Sequence, residues 1–130
     1  MEFNINTNEG KHDLSAGVRL IGDDILVAIW GGEKPHIGAV AAAQPRPSLK
    51  DPNVMSSSAS VICYSGHKED ELAKTAAESL AAALNTNVVV TAGIHWDDLS
   101  QEDIRRIKKN SEILLDSVLK RIRYEFEKRV

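Results

Sequence analysis

The stretch NVVVTAGI, residues 87 to 94, sets the tightest limit on what this chain can fold into. It is rich in β-branched and apolar residues, which fit a pleated strand better than a helix. A run of this kind reads as a strand at the centre of a sheet. A central strand needs neighbours, so the rest of the chain must supply them.

Four other segments qualify. From Leu14 to Ile21 the apolar residues partly alternate, as in a half-exposed strand. GDD at 22 to 24 is a turn signal and ILVAIW at 25 to 30 follows it, which together predict a β-hairpin. HIGAVAAA at 36 to 43 is a third strand, because Pro35 before it and Pro45 after it leave too little room for a helix. ASVICYS at 59 to 65 is the fourth. Residues 1 to 11 read as a loose polar arm. Residues 44 to 58, QPRPSLKDPNVMSSS, read as a proline- and serine-rich loop.

Two helices complete the pattern. Leu72, Ala76, Leu80 and Leu84 recur at helical spacing, with alanines beside them, and this helix ends near Asn85. Its first acids, Glu69, Asp70 and Glu71, read as dipole-favourable capping residues. Ser100 with Asp103 three residues on is a capping-box start. From there Ile104, Ile107, Leu114, Leu115, Val118, Ile122 and Phe126 hold a stripe to the C-terminus. The expected fold is therefore α+β, a mixed β-sheet of about five strands with two helices packed on it, the C-terminal helix long, in a single domain spanning 1 to 130. Strand 59–65, the first helix and strand 87–94 would form a βαβ unit with parallel neighbouring strands. The last helix, at ~1.5 Å per residue, would run about 40 Å, longer than the roughly 35 Å breadth of a domain this size. Its end should overhang or meet another subunit, which predicts a homo-oligomer.

Composition excludes several classes of function. The formal net charge of −3 gives no general reason to expect nucleic acid or membrane lipid as partner. The one cysteine, Cys63, excludes an internal disulfide and a thiol-rich metal site, and its apolar surroundings predict a buried small residue. No apolar stretch approaches the roughly 18 residues of a membrane span. The polar N-terminus lacks the blocks of a signal peptide. A soluble, cytoplasmic protein is expected.

Three strand ends repeat one chemistry. WGGEKPHIG, YSGHKED and TAGIHWDD each carry a glycine followed closely by a histidine, namely His36, His67 and His95. Glycine lets a ligand approach the backbone, and histidine offers a donor, an acceptor or a metal nitrogen near neutral pH. In open α/β sheets ligands sit beyond the carboxyl ends of strands. Two chemistries fit. The three histidines with Asp97 or Glu69 could hold zinc or iron in a small metal-dependent enzyme, although no HxH or HxxxH pair is present. An organic phosphate could instead be held by glycine N–H groups, Lys68 and a helix N-terminus, with Arg46 and Lys50 closing over it as a lid. The plain alternative is three ordinary turns, with His95 stacking on Trp96 and His12 idle in the arm. No nucleophile elbow, Walker loop or full dinucleotide fingerprint is present, so the residues alone do not support catalysis. Nine of the sixteen Lys and Arg lie from Arg105 onward, and a third reading is an interaction protein using that helix. Interleaved acids such as Asp116 and Glu125 make a solvated face with pairs Asp116–Lys120 and Glu125–Arg129 the better account.

Taken in order, GGEKPHIGAVAAA, SGHKEDELAKTAAESLAAAL and VVVTAGIHWDDLSQEDI resemble the prenylated-flavin chaperone-like proteins, whose named member is the D subunit associated with bacterial gallate decarboxylase. The resemblance covers roughly residues 12 to 110. It implies a non-catalytic accessory protein that binds a flavin nucleotide, prenylated FMN or FMN, and delivers it to an apo-decarboxylase of the UbiD type. The residues matching the family's turns are Gly31, Gly32, His36, Gly38, Gly66, His67, Lys68, Gly93 and His95. Trp30 or Trp96 would stack on the flavin ring. The resemblance is silent on residues 111 to 130 and on the proline-rich segment.

Overall fold

The computed structural model describes residues 1–64 and 69–129. Six strands and two helices follow one another: β1 (Glu2–Asn6), β2 (Leu14–Ile21), β3 (Asp24–Gly32), β4 (Ala39–Pro47), β5 (Met55–Cys63), α1 (Asp70–Leu84), β6 (Val88–His95) and α2 (Gln101–Glu127). All the strands enter one mixed sheet in the order β1-β2-β3-β6-β4-β5. Only β3 and β6 pair in parallel; every other pairing is antiparallel. The α+β reading holds, with one strand more than expected.

The extra strand lies in the segment read as a loose arm. Glu2–Asn6 pairs with β2, and Phe3 at its middle is buried. The proline-rich stretch is also shorter as a loop than expected, because β4 extends to Pro47 and β5 begins at Met55. Two prolines are tolerated in β4 where they face only β5 at the sheet margin.

Period-2 alternation explains which face is covered. The row Phe3, Val18, Val27, Val90 and Ala41 crosses five strands in register, and all five residues are buried. Both helices lie on that face. α1 covers β4, β5 and β6, and α2 covers β1 and β2. The division follows side-chain size. Ala73, Ala76, Ala77 and Ala81 of α1 meet Ala39, Ala41 and Ala43 of β4, and small residues on both surfaces let a helix sit close to the sheet. α2 instead presents Ile107, Leu114, Val118 and Ile122 to the bulkier half.

β5, α1 and β6 form the expected crossover, but β5 and β6 are not neighbours. β4 lies between them, antiparallel to both, so β5 and β6 point the same way one strand apart. The sequence offered no signal for this insertion, since β4 arrives from the far side of the sheet.

The capping box at α2 is present, with Ser100 Oγ accepting from Asp103 N and Asp103 Oδ2 from Ser100 N, each at 3.0 Å. The end of α2 does not overhang. Phe126 packs against the core, and Arg129 donates to Gly22 O and Asp23 Oδ1, both at 3.1 Å. The helix runs across the sheet and returns to the β2–β3 turn, so its length gives no argument for a second subunit. Of the two expected helix pairs, Asp116–Lys120 forms at 2.8 Å, whereas Glu125 takes Arg121 at 3.0 Å because Arg129 is turned to Asp23. Among the described residues no helix is long and apolar enough to cross a membrane.

Leu114 and Leu49 test this layering. Leu114 is 1% exposed and Leu49 is 90% exposed. Leu114→Ala should lower stability by about 2–5 kcal/mol, because the cavity cannot collapse between α2 and the sheet. Leu49→Ala should change it by less than about 0.5 kcal/mol. Urea midpoints with unchanged slopes would give the comparison, and equal effects would contradict the assignment of the core.

Candidate functional site

The parallel β3–β6 pair brings two of the three glycine–histidine turns together. Gly32 stands opposite His95, and Trp30 opposite Gly93. β4 starts at Ala39 beside Ala92, and β5 ends at Cys63 beside Ala39. Three carboxyl ends, the amino end of β4 and the start of α1 thus share one edge of the sheet.

Topology dictates what happens next. β3 and β4 flank β6, so the connection from 33 to 38 must step over the end of β6. Glu33 N donates to His95 O at 2.7 Å, and Gly38 N to Ala92 O at 2.9 Å, which ties the crossing down at both ends. The glycines are where they are because of this crossing. A Cβ on Gly93 would fall on the His36 carbonyl, and one on Gly32 (φ +90°) on the His95 carbonyl. A Cβ on Gly38 would fall on the Glu69 carboxylate. These glycines serve chain-to-chain approach first.

The crossing fixes His36. Its Nδ1 lies 2.8 Å from Lys34 O, and its Nε2 lies 2.8 Å from Glu69 Oε1. Both ring nitrogens therefore face acceptors. Two protons must be shared among the ring and the carboxylate for both contacts to be hydrogen bonds. Glu69 is 8% exposed and also accepts from Ile94 N at 3.4 Å. A buried carboxylate is costly unless partnered, and here its partners come from the crossing and from β6. Glu69 occupies the N-cap position of α1, yet its side chain makes no capping bond. The capping reading of Glu69 is thus corrected: it braces the site, while Asp70 and Glu71 remain exposed first-turn acids. A carboxylate followed by two others at a helix start looks like a cap, and only the fold turns one of the three inward.

His95 has its own acid. Its Nε2 lies 2.8 Å from Asp97 Oδ1. This hydrogen bond, aided by the nearby Lys34 ammonium, holds the Asp97 carboxyl below its ordinary value. His36 and His95 each face a carboxylate, and among the described residues no three His, Cys, Asp or Glu side chains gather as a metal site.

Not every expected residue can be placed at this edge. Gly66, His67 and Lys68 lie outside the described residues. Gly31 faces inward, where a Cβ would meet Leu14 Cδ2 at 2.7 Å. Arg46 cannot act as a lid. It lies seven residues along β4 from Ala39, about 23 Å away at ~3.3 Å per residue, and donates to Ser58 Oγ at 2.7 Å. Cys63 is exposed, because it ends an edge strand, and its Sγ lies 3.7 Å from the Tyr64 carbonyl. Trp96 does not stack on His95; it is 8% exposed and meets the His12 ring edge-on at 5.4 Å. His12, assigned no role from sequence, is 7% exposed, with Nε2 3.4 Å from Asp103 Oδ1 and its carbonyl accepting from Asn110 Nδ2 at 2.8 Å. It fastens the β1–β2 loop to α2. Nothing local marks it, since its partners are supplied by the fold alone.

Comparison with known proteins decides the family. A prenylated flavin chaperone LpdD-like domain matches residues 8–123. The chain belongs to that family. Protein LpdD of Lactiplantibacillus plantarum (strain ATCC BAA-793 / NCIMB 8826 / WCFS1) is 26% identical over 103 residues, covering 75% of this chain and 68% of that protein. A chain in the crystal structure of a novel chaperone complex for yeast 20S proteasome assembly superposes with a TM-score of 0.56 at 14% identity, over 96% of each chain. That likeness is one of fold. A chaperone-type accessory role goes with the LpdD-like family.

Two measurements probe the edge. Gly93→Ala should displace the 33–38 crossing and separate His36 from Glu69, because the added methyl has only backbone to move against. A fall in stability of at least ~1 kcal/mol is expected, with the largest NMR shift changes at residues 36 to 38. Shift changes confined to β6 would contradict the crossing. Asp97 gives a pH test. Its depressed folded value means that the turn gains stability above the ordinary carboxylate range and loses it as pH falls through that depressed value. His95→Ala should raise the Asp97 titration midpoint, followed by carboxyl-carbon NMR; an unmoved midpoint would assign the depression to Lys34 instead.

Proposed function

We propose that this chain is a non-catalytic accessory protein that binds a flavin nucleotide, prenylated FMN or FMN, and delivers it to an apo-decarboxylase of the UbiD type. We place it in the cytoplasm and read it as a homo-oligomer. The observation that carries the reading is the 33–38 crossing over β6, which sets His36 and His95 on one sheet edge in a chain of the LpdD-like family.

The residues there fit such a ligand in kind. A flavin has a planar ring whose edge carries carbonyl and ring-nitrogen groups, together with a terminal phosphate. His36 and His95 offer ring-edge partners, and each is held in orientation by a carboxylate. Lys34 is a cation for the phosphate among the described residues, and Lys68 belongs to the same proposal. Asp70 and Glu71, exposed in the first turn of α1, weigh against the helix terminus itself as the phosphate seat. Trp96 is committed to His12, so ring stacking does not come from that residue. The exposed, loop-built edge suits a carrier, which must surrender what it binds.

The test is to purify the protein from cells that make prenylated FMN, then record native mass, visible absorption and metal content. A flavin-sized mass should be present in the unaltered protein and lost, or reduced at least ~10-fold, in His36→Ala and Lys34→Ala. Leu49→Ala serves as the control. Absence of any flavin from the unaltered protein, or full retention in both variants, would sink the proposal. Stoichiometric zinc or iron without an organic ligand would replace it with the metal-dependent reading.

A further inference from the structure

ILVAIW in β3 is a continuous apolar run and β6 opens with VVV, the pattern of strands covered on both faces. The two helices cover one face only. On the other face lie Leu26, Ala28, Val89 and Val40, with Ile62 at the far side 69% exposed. Half of the apolar character of the central strands therefore has no partner within the described residues.

We propose that this open face is the interface at which a second copy of the chain docks, sheet against sheet, about a two-fold axis running along β3 and β6. Three observations choose a second copy over another partner. The fixed charges on the face are Glu2 and Asp24 against Arg19 and Arg46, and Glu2 already pairs with Arg19 at 3.1 Å. A face balanced in this way does not repel its own copy, whereas one built for a charged partner carries a net sign.

The second observation is shape. A hollow of about 500 Å³ lies over Gly17 and Ala28, walled by Leu26, Trp30 and Arg19. Ile62 stands in the same cross-strand row as those two small residues, on the opposite half of the sheet, through Thr91 and Val40. A two-fold axis between β3 and β6 sets the β1–β3 half of one copy over the β4–β5 half of the other. Each hollow then faces the partner copy's projecting isoleucine, the reciprocal contact that an isologous interface requires. The third is area. Six strands at ~4.8 Å spacing and up to nine residues at ~3.3 Å give a face of roughly 800 Å² per copy, which is about what a stable specific interface buries per partner. Aligned sheets pack at about −30°, roughly 10 Å apart, and that separation suits interdigitating side chains.

The experiment uses the whole chain without ligand, so its outcome is independent of flavin binding. Sedimentation velocity at micromolar concentration should give twice the 14.2 kDa chain mass. Ile62→Asp and Leu26→Asp should each weaken association roughly 30-fold or more and shift the protein to monomer, with circular dichroism unchanged. Lys74→Asp, on the exposed side of α1, should leave the dimer intact. Tryptophan emission supplies a reading that needs no interface variant. On dilution Trp30 should become wetter and its emission move to the red, while Trp96 stays buried; Trp30→Phe should remove the shift. A monomer at every concentration, or a dimer that survives both aspartate substitutions, would overturn the proposal.

Discussion

The parallel pairing of β3 with β6 is the constraint on which the rest depends. Parallel neighbours cannot be joined by a tight turn, so the chain builds β4, β5 and α1 before β6 can enter beside β3. β4 then takes the free side of β6, and the path from β3 to β4 has to cross the end of a strand made later in the sequence. Gly32, Gly38 and Gly93 are the steric terms of that crossing. The histidines follow from it, since His36 rides on the crossing and His95 ends the strand being crossed.

Each described histidine carries a carboxylate: His12 with Asp103, His36 with Glu69, His95 with Asp97. The three pairs differ in burial, and burial separates their roles. His12 and its acid join two elements inside the molecule and share Asp103 with the helix cap. His95 and Asp97 lie at the surface, where an exchangeable partner costs little. His36 and Glu69 stand between these cases. The acid is buried and the imidazole is partly open, so the pair can hold a ring in place and still present it at the edge.

Much of this was legible in the sequence, where local chemistry and fold agree. Both helices, five strands and the Ser100–Asp103 capping box are set by periodicity and by side chains within one turn. β1 is not legible, because Glu2–Asn6 has only Phe3 and Ile5 to show, too short an alternation to stand out from a polar arm. The first half of β5 gives no strand signal, because serines that pair with β4 look like a loop in the sequence. The inward turn of Glu69, the burial of His12 and the wrong placement of an Arg46 lid share one cause. Each depends on which strands are neighbours, and the insertion of β4 between β5 and β6 leaves no local trace. The resemblance to prenylated-flavin chaperones reached the family because it rests on the order of three turns, which survives errors in strand adjacency.

The apolar runs of β3 and β6 carry a second message beyond centrality. A strand central in a sheet that is covered once alternates; a strand covered twice does not. β2 alternates cleanly, with Leu14, Ala16 and Val18 buried and Ser15, Gly17 and Arg19 facing the other way, so its open side is less apolar than that of β3. β6 keeps Val89 and Thr91 on the side that the helices never reach. The difference between neighbouring strands of one sheet puts the most apolar part of the second cover over the middle of the sheet. In the proposed pairing the same two strands would form the doubly covered centre and end at the histidine edge. Rigidity would then be greatest along their length and least in the 33–38 and 96–100 segments beyond their ends. That distribution suits a molecule that must hold a cargo in a fixed frame and still let it go.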